Sequence, residues 1–398
     1  MIYGFDDFEL DTAAFELRRR GERVPLEPQV FDVLAYLVAH HDRVVTKAEL
    51  LDEVWGDRFV SESALTSRIK AARRAVDDDG TTQRLLRTVH GRGFRFTGAV
   101  TERSARAPSG GSSGERGRLP LQQVRYARAA DGVRLAYARV GTGPPLVKAA
   151  NWLTHLRVDW ESIVWGHWLR DLSAHHELVH YDQRASGLSD WQVEDVSFEA
   201  WVRDLGTVID AAGLERCALL GVSQGAAVAV AYAAAHPERV SRLVLFGPYA
   251  MGRSRRARTE QERREAAMML EVVETTWAAD TSMFRQMFAA QFMPEGTPEQ
   301  WDAFDAHQRL TASPANARRL LTTAAGIDVR DVAPQVQAPT LVLHARDDRR
   351  IPLQQGELLA SLIPGARFVT LESANHLLLD GEPAWTTFVE EVEAFLAE

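Results

Sequence analysis

The stretch TERSARAPSGGSSGERGRLP, residues 101–120, most limits what this 398-residue chain can fold into. It is rich in Gly, Ser and Arg and carries no hydrophobic period, so it reads as a flexible linker. A coil of about 20 residues has an r.m.s. reach of roughly 25 Å. The linker separates two units, residues 1–100 and 121–398, and each must build its own core.

Composition sets what both units can be. Hydrophobic residues make up 45% of the chain and charged residues 25%, a globular balance and not a disordered one. The formal net charge of -9 argues against a wholly basic, histone-like binder but leaves room for a local basic face. Cys217 is the only cysteine, so neither an intrachain disulfide nor a cysteine-built zinc or iron–sulfur site can form. A reducing, cytoplasmic setting is the expectation. The acidic start MIYGFDDFELD lacks the basic start and apolar core of a signal peptide. The longest weakly polar run is interrupted by a glycine-bracketed turn at Ser223, so no membrane span is expected. His40-His41, His175-His176 and His236 lack convincing metal spacing, and neither a metal nor a cofactor is expected.

In the first unit, residues 8–17 and 24–26 read as short strands. Residues 29–40 carry Phe31, Leu34 and Leu37 at helical spacing, and residues 47–55 form a second short helix. A third helix over 61–76 places Leu65, Ile69 and Ala72 on one face. Residues 84–90 and 94–100 alternate around Gly91-Arg92-Gly93 as a hairpin. Between Ser61 and Arg95 the bases are Arg68, Lys70, Arg73, Arg74, Arg84, Arg87, Arg92 and Arg95. The acids are Glu62, Asp77, Asp78 and Asp79, with none from Thr81 through Thr101. Positive charge is therefore concentrated at one end, which is a footprint for phosphates.

The segments Phe31-Asp32-Val33-Leu34, Arg43 through Leu50, Val54-Trp55-Gly56 and Arg87 through Phe96 resemble the OmpR/PhoB-type winged-helix DNA-binding domain. The resemblance covers nearly all of residues 2–98. It implies an α+β winged helix whose third helix enters the major groove of double-stranded promoter DNA while the hairpin wing touches the minor groove. Ser63, Thr66, Ser67, Arg68 and Lys70 lie early on the third helix, off its apolar face, and are the base-edge and phosphate candidates. Arg74 and Arg87 join them, and Arg92 at the wing tip is the minor-groove candidate. Any single arginine here is more readily a solvating surface residue, and it is the whole pattern that points to DNA. The unit starts at residue 2 with no receiver domain before it, so control by aspartyl phosphorylation is not expected. Paired half-sites would favour a homodimer through effective concentration.

The second unit alternates strands and helices. Residues 124–129, 133–140, 145–149, 178–181, 217–221, 243–246, 340–344 and 368–371 read as strands. That pattern predicts a mostly parallel eight-stranded sheet with helices on both faces. Between residues 251 and 332 the alternation stops. That segment carries Met268, Met269, Trp277, Met283, Phe284, Met287, Phe288, Phe292 and Met293 and reads as an inserted helical cap. Adaptable thioethers and rings suit a small apolar or acyl-bearing ligand. The same residues could equally only pack the cap against the sheet.

Gly221-Val222-Ser223-Gln224-Gly225 follows one of these strands and precedes an alanine-rich helix. Serine nucleophilic catalysis needs a hydroxyl, a base to take its proton and a carboxylate to orient the base. The segment Leu341 through Pro352, a strand that ends in an acidic loop, and the loop Ser373-Ala374-Asn375-His376 supply the other two, in the order Ser, Asp, His. In these features residues 121–398 resemble the α/β-hydrolase superfamily. Aligned on Ile351-Pro352, the resemblance makes Asp348 the triad acid, with Asp347 the alternative, and His376 the base. It implies an oxyanion hole from the backbone N–H groups of Gln224 and Trp152. Many relatives carry His-Gly where this chain has Asn151-Trp152. Asp182-Gln183-Arg184-Ala185-Ser186-Gly187-Leu188-Ser189 resembles the family's D-x-R-G-x-G-x-S segment, with Ala185 in place of glycine, and reads as scaffold behind the site.

Three functions are compatible with this pairing. One is a transcription regulator whose serine hydrolase domain senses and cleaves an ester-type ligand. Another is a metabolic esterase with an accessory DNA-binding unit. The third is a receptor on a hydrolase scaffold with negligible turnover.

Overall fold

The computed structural model describes residues 2–11, 16–24, 26, 28–55, 62–89, 91–103, 122–277 and 282–398. The chain divides into two compact units, Met1–Arg116 and Gly117–Glu398. Residues 104–121, most of the expected linker, lie outside the described residues.

The N-terminal unit opens with β1 (Ile2–Phe5), β2 (Phe8–Asp11), β3 (Glu16–Arg19) and β4 (Glu22–Val24). Helix α1 (Pro28–Ala39), β5 (Val45–Thr46), α2 (Lys47–Trp55) and α3 (Glu62–Ala75) follow. The unit closes with β6 (Leu86–Val89), β7 (Gly93–Phe96) and β8 (Thr101–Arg103). Two sheets result, ordered β4-β3-β2-β1-β8 and β5-β7-β6. Two expectations need correction. The single strand over 8–17 is two strands, and a further strand, β1, precedes them. The linker does not begin at Thr101, because β8 pairs antiparallel with β1, Gly4 opposite Thr101 and Ile2 opposite Arg103. The open edge of β1 offers backbone donors and acceptors that a polar sequence can satisfy as well as an apolar one. Leu34 and Leu37 of α1 are buried with Leu65, Ile69 and Ala72 of α3, as their spacing requires. Phe5 meets Phe96 edge-on at 5.0 Å.

The C-terminal unit begins with β9 (Gln123–Arg128), β10 (Arg134–Val140) and β11 (Pro145–Lys148), then α4 (Gly166–His175), β12 (Glu177–Tyr181) and α5 (Phe198–Ala211). Next come β13 (Cys217–Val222), α6 (Gln224–Ala235) and β14 (Val240–Phe246). Five helices are then inserted: α7 (Arg253–Arg256), α8 (Glu260–Thr276), α9 (Ser282–Phe292), α10 (Pro298–Thr311) and α11 (Pro314–Gly326). The fold ends with β15 (Thr340–Ala345), α12 (Leu353–Leu362), β16 (Arg367–Leu371) and α13 (Pro383–Ala397). The eight-stranded sheet has the order β16-β15-β14-β13-β11-β12-β10-β9. Pairing is parallel from β16 through β12, and β10 alone runs against the other strands, antiparallel to both β12 and β9. Leu219, Leu220, Val244, Leu245, Val342 and Leu343 are buried at the centre of this sheet. That position explains why these strands read as continuous apolar runs instead of alternating ones. Among the described residues no helix is long and apolar enough to cross a membrane. Nor does any group of three or more His, Cys, Asp or Glu among them form a metal-binding cluster.

Candidate functional site

Ser223 stands between the end of β13 and the first turn of α6. Its backbone sits at φ 53° and ψ -119°, outside the ordinary regions for a residue with a Cβ. Such strain costs on the order of 1–3 kcal/mol and persists only where its surroundings enforce it. Here the enforcement is visible. Ser223 N–H donates to the Phe246 carbonyl of β14 at 2.9 Å. A Cβ on Gly225 would come within 2.9 Å of the Ala150 carbonyl and 3.1 Å of the Ala149 carbonyl. Glycine at 225 therefore lets α6 start directly against the loop after β11. Replacing Gly225 with valine should destabilise the C-terminal unit by about 1–3 kcal/mol, because backbone cannot retreat as a side chain can. An unchanged midpoint in urea unfolding followed by tryptophan fluorescence would contradict this packing.

Asp348 and His376 come together from different loops. The Nδ1 of His376 lies 2.7 Å from Asp348 Oδ2, and both side chains are fully buried. The other Asp348 oxygen accepts the backbone N–H groups of Arg350 at 2.7 Å and Ile351 at 2.9 Å. Burial alone would raise this carboxyl. The His376 charge and hydrogen bond, His344 and the Ile351 N–H outweigh it and hold the carboxyl below its usual range. Asp347 is exposed, and its backbone N–H donates to the Ser373 carbonyl. On His376 the remaining nitrogen, Nε2, is buried and has no partner among the described residues. Phe292 packs against this imidazole at 5.7 Å between ring centroids. A Cβ on Gly247 would come within 3.0 Å of its Cε1. Ser223 is bonded to Phe246, and His376 rests against Gly247, so both flank the same end of β14.

His344 has no counterpart in the sequence reading. It is fully buried, its Nε2 lies 3.0 Å from the Ile351 carbonyl and 3.5 Å from Asp348 Oδ2, and burial lowers its pKa. A neutral His344 therefore braces the acidic loop from behind. Nothing in its spacing sets it apart from an ordinary strand residue.

The loop after β11 carries Trp152. Among the described residues neither Trp152 N–H nor Gln224 N–H has an acceptor, as a pair of oxyanion donors requires. The loop lacks the usual glycine but is braced in another way. Buried Lys148 donates to Asn151 Oδ1, and Asn151 Nδ2 donates to the Trp152 carbonyl at 3.1 Å. Lys148 also sits 4.8 Å from the Trp165 ring. Burial lowers its pKa against the pull of Asp159 and Asp182. The Trp152 indole donates to Gln308 in the cap at 3.0 Å. Gln224 Nε2 donates to Gln183 at 3.0 Å, which ties the Asp182–Ser189 scaffold directly to the elbow.

A cleft opens at Ser223, with Trp152, Gln224 and Ile351 in its wall beside cap residues. Of the nine apolar cap residues singled out from sequence, Met269 and Phe292 line it. Trp277, Phe288 and Met293 are buried in the core, whereas Met268 and Met287 are exposed. The side chains of Met283 and Phe284 lie outside the described residues. Of the six described Met and Phe side chains, two line the cleft, two pack in the core and two are exposed.

In the N-terminal unit, Thr66, Ser67, Lys70 and Arg74 are exposed on α3, and Arg68 is half-buried. The Ser63 side chain lies outside the described residues. Arg87 is exposed on β6, and Arg92 is exposed in the turn that joins β6 to β7. Several of the bases counted in the charge footprint have partners within the unit, Arg95 donating to the Asp42 carbonyl at 3.3 Å among them. Arg73 is buried and donates to the Leu86 carbonyl at 2.9 and 2.8 Å and to Thr88 at 2.8 Å, which fastens α3 to the wing. Arg84 pairs with Asp6.

A family model described as "alpha/beta hydrolase fold" matches residues 158–383, more than half of the chain. The chain belongs to the alpha/beta hydrolase fold family. The hydrolase domain is preceded by a match to "Transcriptional regulatory protein, C terminal" over residues 21–96, so the N-terminal unit is an OmpR/PhoB-type regulatory domain. Pyrrolizixenacetamide deacetylase of Xenorhabdus hominickii is 26% identical over 246 residues, 61% of this chain and 88% of that protein. The transcriptional regulator HilA of Salmonella typhi is 38% identical over 104 residues, 26% of this chain. That alignment spans only 18% of HilA's own length. An esterase of known structure, RhEst1 from Rhodococcus sp. ECU1013, is 26% identical with a TM-score of 0.55. That match covers 69% of this chain and 98% of the esterase.

Proposed function

We propose that the chain is a promoter-binding regulator whose hydrolase domain binds and cleaves a small ester-type ligand with Ser223, His376 and Asp348. The observation that carries this reading is the buried Asp348–His376 pair, 2.7 Å apart, whose imidazole keeps Nε2 unpartnered. The esterase and deacetylase among the relatives support the same chemistry. In the cycle, Ser223 Oγ bonds to the carbonyl carbon and its proton passes to His376 Nε2. Asp348 holds the imidazolium, and the N–H groups of Gln224 and Trp152 receive the oxyanion. Collapse breaks the bond to the leaving alcohol, which departs with the proton from His376. Water then adds to the acyl-enzyme, gives a proton to His376, and releases the acid and the free serine.

DNA contact is assigned to Ser63, Thr66, Ser67, Arg68, Lys70 and Arg74 on α3, to Arg87, and to Arg92 in the wing. The exposure of Thr66, Ser67, Lys70 and Arg74 on one helix and of Arg87 and Arg92 on one hairpin, together with the match to transcriptional regulators, supports that face. The double substitution Lys70→Ala with Arg92→Ala should flatten the plot of log affinity against log salt by about two, near 0.9 for each lost phosphate contact. An unchanged slope would argue against this docking.

Regulation is tested by pairing two assays on wild type and Ser223→Ala. Wild type should hydrolyse members of a 4-nitrophenyl ester panel and the variant should not. If Ser223→Ala alters neither promoter affinity nor its response to a cleaved ester, turnover is not the regulatory signal.

A further inference from the structure

Three arginines border the Ser223 cleft: Arg253, Arg256 and Arg350. Arg350 lies two residues beyond Asp348, on the loop that carries the triad acid. Its guanidinium lies 4.8 Å from the Phe292 ring centroid and 5.4 Å from that of Phe288, and it donates to Gln291 in the cap at 3.2 Å. Arg256 donates to the Met251 carbonyl at 2.7 Å. Arg253 is exposed. Among the described residues none of the three has a carboxylate ion-pair partner, whereas most other buried or half-buried arginines of this unit do, Arg139 and Arg184 among them.

Such a cluster is unfavourable when empty. Burial, then the charges of Arg253 and Arg256, push the Arg350 pKa down to about 10. Burial likewise lowers that of Arg256, with Arg253 adding to the effect. Like charges gathered in a low-dielectric cleft raise its potential and draw in an anion. A guanidinium fork is also matched in shape to a carboxylate. The same cleft is also lined by the apolar side chains of Met269, Leu270 and Leu321.

We propose that the cleft is specific for ligands bearing a carboxylate, held by Arg350 with Arg256 and Arg253, a short apolar segment away from the carbonyl presented to Ser223. This rests on the serine-hydrolase reading and narrows its substrate class. The sequence pointed to an apolar or acyl-bearing ligand because Arg350 lies far along the chain from Arg253 and Arg256, and nothing in their spacing brings them to one cleft.

The test compares mono-4-nitrophenyl glutarate with 4-nitrophenyl pentanoate, which has a similar chain but no charge. Wild type should favour the glutarate by at least about tenfold in kcat/KM, as a charge-assisted pair in a partly desolvated site allows. Arg350→Gln should bring the ratio of the two rates close to one, and Arg256→Gln should lower it. Glutarate itself is titrated calorimetrically into Ser223→Ala, with and without Arg350→Gln. Saturable binding that Arg350→Gln abolishes is expected. Labelling of Ser223 by a fluorophosphonate separates the two ideas. Labelling without any preference for the glutarate ester, or with no glutarate binding, overturns the carboxylate site and leaves the hydrolase intact. Absent labelling removes the hydrolase reading, and glutarate binding lost in Arg350→Gln then sustains the site, whereas no binding overturns it too. Circular dichroism of Arg350→Gln, with Arg350→Lys as a charge-retaining second variant, separates lost recognition from lost folding. Partial retention of the preference by the lysine variant supports recognition, and equal loss in two well-folded variants assigns it to the guanidinium fork.

Discussion

Replacing Asp348 with asparagine should lower kcat toward an activated ester by about 10⁴-fold, the loss typical when a triad carboxylate becomes an amide. Both carboxylate oxygens are engaged as acceptors. One takes two backbone N–H groups, and the other faces His376 Nδ1 at 2.7 Å. An amide must turn its NH2 toward one of these donors. If it faces His376, the imidazole is driven into the tautomer that protonates Nε2, and it can no longer accept the serine proton. If it faces the backbone, the loop that presents residue 348 is disrupted. Asp347→Asn should change kcat by less than about twofold, as expected of an exposed side chain. Equal losses in the two variants, measured on the same ester, would dismiss Asp348 as the triad acid.

Arg184→Met should destabilise the hydrolase domain by about 3–5 kcal/mol, because it strands a buried carboxylate. Arg184 Nε and one terminal nitrogen meet Asp204 at 2.7 and 2.6 Å, and both side chains are 1% exposed. The second terminal nitrogen of Arg184 reaches Asp131 at 2.7 Å. Burial raises the Asp204 carboxyl despite this pairing. For Arg184 burial works against the charge, and hydrogen bonds to Asp204 and Asp131 outweigh it. We take the two-point contact as decisive and assign both groups as charged. Asp131 is 38% exposed, so Asp131→Asn should cost only about 1 kcal/mol in the screened setting of that pair. Calorimetry of the full chain would show the arginine substitution moving the hydrolase transition alone. Equal costs for Arg184→Met and Asp131→Asn would contradict the buried-pair account.

Much of the fold was legible because its signals are local. Continuous apolar strands report burial on both faces, and Leu65, Ile69 and Ala72 report one buried helix face. The serine elbow is legible for the same reason, since its signature lies within five neighbouring residues, although contacts with β14 and the loop after β11 enforce its conformation. The candidate acid was readable as Asp348 only through the resemblance, with the adjacent Asp347 as the alternative. Burial separates them, and burial depends on how β15 and α12 meet. His344 and Lys148 were missed because each looks like an ordinary strand residue until the sheet is assembled around it. Thr101–Arg103 was missed because its order comes from pairing with β1, nearly a hundred residues earlier in the chain. Arg73 was counted toward a charged face because sequence cannot say which arginine turns inward. Ala185 stands where relatives carry glycine, and at φ 68° it occupies the left-handed region that favours glycine.

The most direct test of the central claim is to treat the full-length protein with a fluorophosphonate probe and map the adduct by peptide mass spectrometry. One phosphonyl group on Ser223 is expected, absent in Ser223→Ala and strongly slowed in His376→Ala. No adduct in the wild type, or an adduct on another residue that persists in Ser223→Ala, would contradict Ser223 as the nucleophile.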